Sequence, residues 1–323
     1  MNTLILEVDV ILQATRTEYD ATQPGDAVRI YLVGTGGPEY TVNRFGYSTL
    51  IQIGERLYLF DVGRGAGQRL YELGIQPDRI DRIFLTHLHS DHFEGLPNIW
   101  MAPWFLFGNE RHMKLWGPST SKDMVDGMFH MFSKDMVARA DEKFKREYLD
   151  VTVTEFEKGS LVFDEGGVRI ASFEVEHADG NPAFGYCLEY GRYRIVLSGD
   201  TAYHPNVVEY GKGCDVLIHN VVAVGGKALE NGVDYTPVTR KLATPEAAAR
   251  VFSEAQPKLA VYSHICKKGL DGKDGDDKIM EMTREAGYQG ALAMGYDRMM
   301  IELQGDEVTI YPPNDLEHVG DLQ

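Results

Sequence analysis

Thr86-His87-Leu88-His89-Ser90-Asp91-His92 places three imidazoles and a carboxylate within six consecutive positions. Those groups are ligands for zinc and its neighbours, so the chemistry this stretch points to is metal binding. The apolar run Ile83-Phe84-Leu85 before it reads as a buried strand, which puts the cluster where a strand gives way to a loop. A loop there can turn several side chains toward one point, whereas a regular strand sends alternate residues to opposite faces. The plain alternative is a polar strand-end loop with no function. So dense a set of ligands argues against it.

The same arrangement recurs along the second half. A strand over 168–175 is followed by His177, and one over 193–197 by Ser198-Gly199-Asp200-Thr201. Strands over 215–218 and 259–262 lead into His219-Asn220 and Ser263-His264. If two sheets pack face to face with these ends at one rim, seven side chains make two metal sites sharing Asp200 and a water. Two cations close together bring a bound water's pKa toward neutrality and polarise the bond under attack. Taken singly, His177, Asp200 or His264 would be an ordinary satisfied polar residue. Their shared position after apolar strands argues for ligands.

The elements that carry these residues follow from periodicity. Strands are expected over 28–33, 48–53 and 56–60, the last two a hairpin across Gly54-Glu55, and a helix over 68–73 stops at Gly74. The loop Gly34-Thr35-Gly36-Gly37-Pro38 lacks the spacing of a phosphate cradle and reads as a sharp turn beside the site. From 121 to 148 the pattern is helical, and Met124, Met128, Met131, Phe132 and Met136 form a stripe expected in core or dimer contact, or as a lid. Thr244 caps a helix over 245–255 with Pro245 in its first position. Residues 268–278 read as an exposed, functionally silent loop.

Composition bounds the class. The 323 residues, 43% hydrophobic and 25% charged, suit one large domain, with an N-terminal extension over 1–27 and a helical insertion over about 100–150. A formal charge of −17 opposes polyanions, and the densest basic run, Lys143-Phe144-Lys145-Arg146, is flanked by Asp141, Glu142 and Glu147. Three cysteines, Cys187, Cys214 and Cys266, give no disulfide framework. With neither a basic secretory start nor an apolar run long enough to span a bilayer, a cytoplasmic protein without a membrane partner is expected.

Residues 86–92 resemble the His-x-His-x-Asp-His signature of the metallo-β-lactamase superfamily, and the similarity extends from about residue 28 to 301. Within that superfamily the chain is most similar to the ribonuclease Z and arylsulfatase-like branch, through Gly34 to Pro38, Phe60-Asp61-Val62-Gly63-Arg64-Gly65, Pro182-Ala183-Phe184-Gly185-Tyr186, Ser198 to Thr201 and Ser263-His264-Ile265. The resemblance implies an α/β fold, an αββα sandwich of two mixed sheets flanked by helices. It implies two divalent metal ions, zinc foremost, with manganese or iron as alternatives. His87, His89 and His177 would hold one; Asp91, His92 and His264 the other; Asp200 would bridge them, and Asp61 would orient a ligand histidine.

Two departures guide the expected substrate. Where ribonuclease Z has His-Glu, this chain has His219-Asn220, and Leu242 stands where a histidine precedes the Thr-Pro-Glu helix start. No long glycine-proline arm for gripping tRNA is present. The expected function is therefore hydrolysis of a small apolar or aromatic ester, lactone, sulfate or phosphate ester, walled by the segment from Trp100 to Met136. In that reading Asp91 positions the attacking water or takes its proton, and His219 is either the proton donor to the leaving group or a supporting hydrogen-bonding residue. The expected partners are a small-molecule substrate and a second copy in a homodimer, with nucleic acid disfavoured. The rivals are a ribonuclease Z-like phosphodiesterase acting on tRNA, a non-catalytic metal-binding regulatory protein, and a di-iron redox protein served by a separate flavin partner.

Overall fold

Strands that are apolar on both faces need cover on both sides. The computed structural model, which describes residues 27–313 apart from 109, 111, 178–181 and 231, provides it in four layers. The first sheet comprises β1 (Val28–Gly34), β2 (Ser48–Ile53), β3 (Arg56–Phe60), β4 (Arg82–Phe84), β5 (Met113–Pro118) and β6 (Val151–Phe156). The second comprises β7 (Ser160–Glu165), β8 (Val168–Glu174), β9 (Phe184–Tyr190), β10 (Tyr193–Leu197), β11 (Val216–Val224), β12 (Leu259–Lys268) and β13 (Leu292–Met294). Strands β14 (Met299–Gln304) and β15 (Glu307–Tyr311) return to the first sheet, whose order is β15-β14-β1-β2-β3-β4-β5-β6; the second runs β13-β12-β11-β10-β9-β8-β7. Both sheets are mixed: β3 to β6 and β10 to β13 pair in parallel and the other neighbours are antiparallel.

Alternation along the strands sorts the core. Ile30, Leu32, Tyr58, Phe60 and Phe84 face Tyr186, Leu188, Ile195, Leu197 and Ile218 between the sheets. Their neighbours Tyr31, Val33, Leu57, Leu59 and Ile83 point outward against α1 (Ala66–Glu72), α2 (Leu96–Phe107), α3 (Ser121–Met131) and α4 (Ser133–Arg139). On the far side Val196, Leu217, Ala260 and Tyr262 pack beneath α5 (Pro205–Gly211), α6 (Pro245–Ala255) and α7 (Gly272–Glu285). This is the expected αββα sandwich.

Thr244 caps α6 as expected, accepting from the Ala247 amide at 3.3 Å. The N-terminal extension expected over 1–27 falls, except for Ala27, outside the described residues. Inside the stretch expected to be helical, β5 adds a strand between β4 and β6. Trp100, Trp104, Met128 and Met136 are buried in the layer outside the first sheet, with the indole N–H groups donating to Leu149 O and Lys145 O. They form core there. The loop expected over 268–278 is largely the first half of α7, and Asp276 in it is buried between Arg44 and Lys267. Glycines and like-charged neighbours hide this helix, which tertiary ion pairs hold in place. Among the described residues no helix is long and apolar enough to cross a membrane.

Candidate metal centre

Parallel pairing of β4 delivers Thr86 and His87 into the gap between the sheets, and a turn at Ser90–His92 folds the following ligands back. His177 follows β8 and Asp200 follows β10. His264 arrives differently, because β12 does not end there. Between β11 and β12 the register passes from His219 opposite Tyr262 to Val221 opposite Ile265, so β12 carries one extra residue. At this bulge His264 has φ +49°, a left-handed conformation that β-bulges near active sites use to re-aim a side chain.

The ligand atoms converge in three overlapping groups: His87, His89 and His177; His87, His92 and Asp200; and Asp91, His92 and His264. His89 Nδ1 lies 2.9 Å from His87 Nε2 and 3.0 Å from His177 Nε2. His264 Nε2 lies 3.3 Å from both Asp91 Oδ2 and Asp200 Oδ2, and His92 Nε2 is 3.4 Å from Asp200 Oδ2. Asp200 Oδ2 also reaches within 3.8 Å of His177 Nε2, so this carboxylate stands between the two groups.

The outward nitrogens are fixed. Asp61, fully buried, accepts from the Thr86 amide and hydroxyl at 2.8 Å each and from His92 Nδ1 at 2.9 Å. The same Thr86 hydroxyl lies 3.0 Å from His87 Nδ1. His177 Nδ1 lies 2.9 Å from Lys241 O, and His264 Nδ1 faces Cys266 Sγ at 3.8 Å. With their Nδ1 atoms engaged, His87, His92, His177 and His264 turn Nε2 lone pairs inward, the arrangement by which outer groups orient metal-ligating histidines. Asp61 thus has the orienting position expected of it, directly for His92 and through Thr86 for His87.

Electrostatics and satisfaction both ask for a cation. Burial holds the His87 imidazole well below its ordinary value, ahead of repulsion from His92. Burial would do the same to His92, but the Asp200 and Asp61 charges prevail and raise it to about 10. His264 is likewise held well above its usual value against burial, chiefly by Asp200. Asp200 itself stays well below the usual carboxylate range despite burial, because His264 and His92 adjoin it. Yet His92 Nε2 and Asp200 Oδ1 are buried without a hydrogen-bond partner. Buried polar atoms normally find one. Divalent cations at the centre of the cluster would satisfy both, so the residues fit the metals.

His219 is the site residue the structure does not bring in. It stays in the ladder and faces the outer layer, its ring 5.7 Å from Phe252. Nδ1 lies 2.8 Å from Asn220 O and burial pushes the imidazole down to about 4, which leaves it neutral. With its Nδ1–H taken up by the Asn220 carbonyl and its ring against Phe252, His219 is placed as a supporting hydrogen-bonding residue, the second of the two roles expected of it. Sequence reasoning missed Tyr47, buried with its ring 5.5 Å from His92 and 5.7 Å from His264, and Thr86 as the link to His87. Thr86 was within reach, since it adjoins the first ligand; Tyr47 left no signal.

Residues 28–228 match the family model described as anti-Pycsar protein Apyc1. A protein named ribonuclease Z from Mycobacterium marinum is 31% identical over 285 residues, covering 85% of this chain and 99% of that protein. Among solved structures, the metallo-β-lactamase fold protein YhfI of Bacillus subtilis aligns with a TM-score of 0.66 at 15% identity, covering 86% of this chain and 100% of that one. The short form of human tRNase Z aligns with a TM-score of 0.62 at 20% identity, covering 84% and 98%.

These relatives correct two expectations. The small apolar or aromatic ester expected as substrate gives way, because a relative aligned along almost its whole length is named for cleaving RNA. The expectation that disfavours nucleic acid as a partner falls for the same reason. Net charge sums over the whole surface and does not decide how one phosphate is held at a metal site. Leu242 and Asn220 bear on the departing group and say little about the class of bond. With its family model matched over more than half of its length and that relative beside it, the chain belongs to the anti-Pycsar protein Apyc1 family, in the ribonuclease Z branch of the metallo-β-lactamase superfamily.

Proposed function

We propose that this protein is a metal-dependent phosphodiesterase that hydrolyses ribonucleotide phosphodiester bonds. The observation that carries the reading is the convergence of two triads, His87/His89/His177 and Asp91/His92/His264, on Asp200. Each triad would hold one divalent cation, zinc foremost, and Asp200 would join them. Bound cations supply a Lewis acid for the phosphoryl oxygens and make water a nucleophile at neutral pH. Relatives named ribonuclease Z support the phosphodiester as the bond, and the tRNase Z fold relative makes precursor tRNA the first substrate to try.

The chain's own residues divide the remaining work. Asp91 is the ligand carboxylate with some exposure, its side chain 12% accessible against 5% for Asp200, so it meets entering water and can hold one of its protons. Asp61 and Thr86 fix His92 and His87 so that the ligands need not reorganise during the reaction. Leu242 is buried with Val222, Val238 and Cys266. An apolar side chain packed in the core therefore stands where the ribonuclease Z pattern has an imidazole.

The test is turnover by zinc-loaded protein on a precursor tRNA with a 3′ trailer and on oligoribonucleotides shortened to a dinucleotide. An aromatic carboxylic ester serves as control, with chelator-treated protein and Asp200→Ala as blanks. Metal-dependent phosphodiester cleavage, absent in both blanks, is expected. Ester hydrolysis without phosphodiester cleavage would overturn the reading.

A further inference from the structure

The rim of the cluster on the His264 side is built by the loop after β1. Gly36 bridges both Gly46 and Ile265, and the Ile265 amide donates to Thr35 O at 2.8 Å. Gly37 packs so closely that a Cβ there would lie 2.5 Å from Cys266 Sγ and 3.2 Å from His264 Cε1. Beyond Pro38 the chain turns outward, and Tyr40 stands 89% exposed. Three peptide units separate it from Gly37, a span of at most about 11 Å.

Tyr40 is nevertheless held. The Arg64 guanidinium sits 4.6 Å from its ring centroid, a cation–π distance. Arg64 Nη2 donates to Glu39 O at 3.2 Å and Nη1 to Glu94 Oε1 at 3.4 Å, while Glu39 also pairs with Lys268 on β12. Arg64 follows Asp61 by three residues and Glu94 follows His92 by two, so this frame grows out of the site itself. The ring has one face braced by a cation and is otherwise open to solvent.

Resting on the phosphodiesterase reading, we infer that Tyr40 and Arg64 form a stacking subsite for a base next to the scissile phosphate. Every base has a π face, so such a platform binds single-stranded ribonucleotide with little regard to sequence. It also suits an acidic protein, because stacking needs no basic groove along the backbone. The salt dependence of KM is then shallow, since few phosphates are neutralised by side chains.

The experiment compares Tyr40→Ala and Tyr40→Phe on a ribodinucleotide and on its abasic analogue. For Tyr40→Ala, KM on the base-bearing substrate is expected to rise about 5- to 150-fold with kcat retained, the range set by one lost stacking contact. Tyr40→Phe keeps the ring and the wild-type KM, and the abasic analogue responds to neither variant. An equal change on both substrates, or none, would overturn the subsite. Fluorescence of 2-aminopurine riboside monophosphate separates this inference from the reading beneath it. If neither dinucleotide is cleaved, quenching by the wild type that is lost in Tyr40→Ala still supports stacking, and equal quenching overturns it.

Discussion

Asp61→Asn changes one oxygen to an amide nitrogen and should loosen both metal positions at once. Asp61 Oδ1 accepts from the Thr86 amide, while Oδ2 accepts from the Thr86 hydroxyl and His92 Nδ1, at 2.8, 2.8 and 2.9 Å. An asparagine has one accepting atom and one donating group. With its oxygen toward His92, its NH2 meets the Thr86 amide donor to donor. Flipped, it meets His92 Nδ1 the same way and turns the Thr86 hydroxyl away from its place beside His87. Either way one buried donor is unmet, at a cost of about 1–3 kcal/mol. When that cost falls on ligand orientation it matches the 10- to 100-fold loss of metal affinity typical of altered outer-shell partners, about 1.4–2.8 kcal/mol. Zinc titration against a chromophoric chelator, with circular dichroism to confirm the fold, reads this directly. The weakening should extend to both sites, because Thr86 carries the effect to His87. Unchanged affinity would refute the view of Asp61 as the common anchor, and loss at the His92 site alone would refute the Thr86 relay.

His89→Ala and Asp200→Ala should each abolish phosphodiester turnover while leaving the thermal transition of the stripped protein nearly unchanged, measured by initial rates and melting; residual wild-type turnover in either would sink the two-metal assignment. Asp297 accepts from Thr35, Phe45 and Arg69 and is buried, so Asp297→Ala leaves two backbone donors unmet and takes one of two carboxylate partners from Arg69, which keeps Glu72. With each unmet buried donor costing about 1–3 kcal/mol, a loss of about 2–6 kcal/mol in denaturant unfolding is expected, and a loss below about 1 kcal/mol would contradict the network. His219 sits at about 4 when folded against its ordinary 6.5, so the unfolded chain takes up a proton first. Its contribution is therefore complete above pH 6.5 and declines as pH falls toward 4, by about 3 kcal/mol. His219→Asn, compared with wild type in metal-stripped urea titrations, should flatten that decline; parallel pH curves would show that the ring is not buried neutral.

Much of the fold was legible because the strands are covered on both faces and read as continuous apolar runs. The cluster at residues 87–92 was legible because three histidines and an aspartate seldom crowd into six positions by chance, and the structure gathers them with His177, Asp200 and His264. Elsewhere the rule that candidate ligands follow strand ends places His177 and Asp200 in the cluster and misleads at β11 and β12. Both strands run on past the expected boundary, and a single extra residue decides the outcome. His264 enters the site because the bulge turns it, and His219, in the unbroken part of the ladder, keeps facing Phe252. A bulge leaves no mark on hydrophobic periodicity. The first half of α7 was hidden for a related reason, since Asp276 is held by Arg44 from a loop 232 residues away and local propensity carries no such information.

The charge argument failed for a physical reason that also bears on mechanism. A formal −17 counts Asp61, Asp91 and Asp200 as free negative charges. In the folded chain these carboxylates lie against His92 and His264, which they hold in the protonated range when no metal is bound. A pair of divalent cations would more than cancel them, so the field that a scissile phosphate would meet in the proposed reaction is locally positive whatever the outer surface carries. Steering from a distance and gripping a long backbone would still be poor. In the proposed phosphodiesterase, binding must then come from the reacting phosphate and its nearest neighbours, which is why an exposed, arginine-braced ring on the loop that reaches His264 at Gly37 matters more here than a basic surface would. Such an enzyme should discriminate by what flanks the cleaved bond and be indifferent to the charge of distant segments. Shortening the oligoribonucleotide should therefore leave kcat/KM nearly constant until the residue bearing the stacked base is removed.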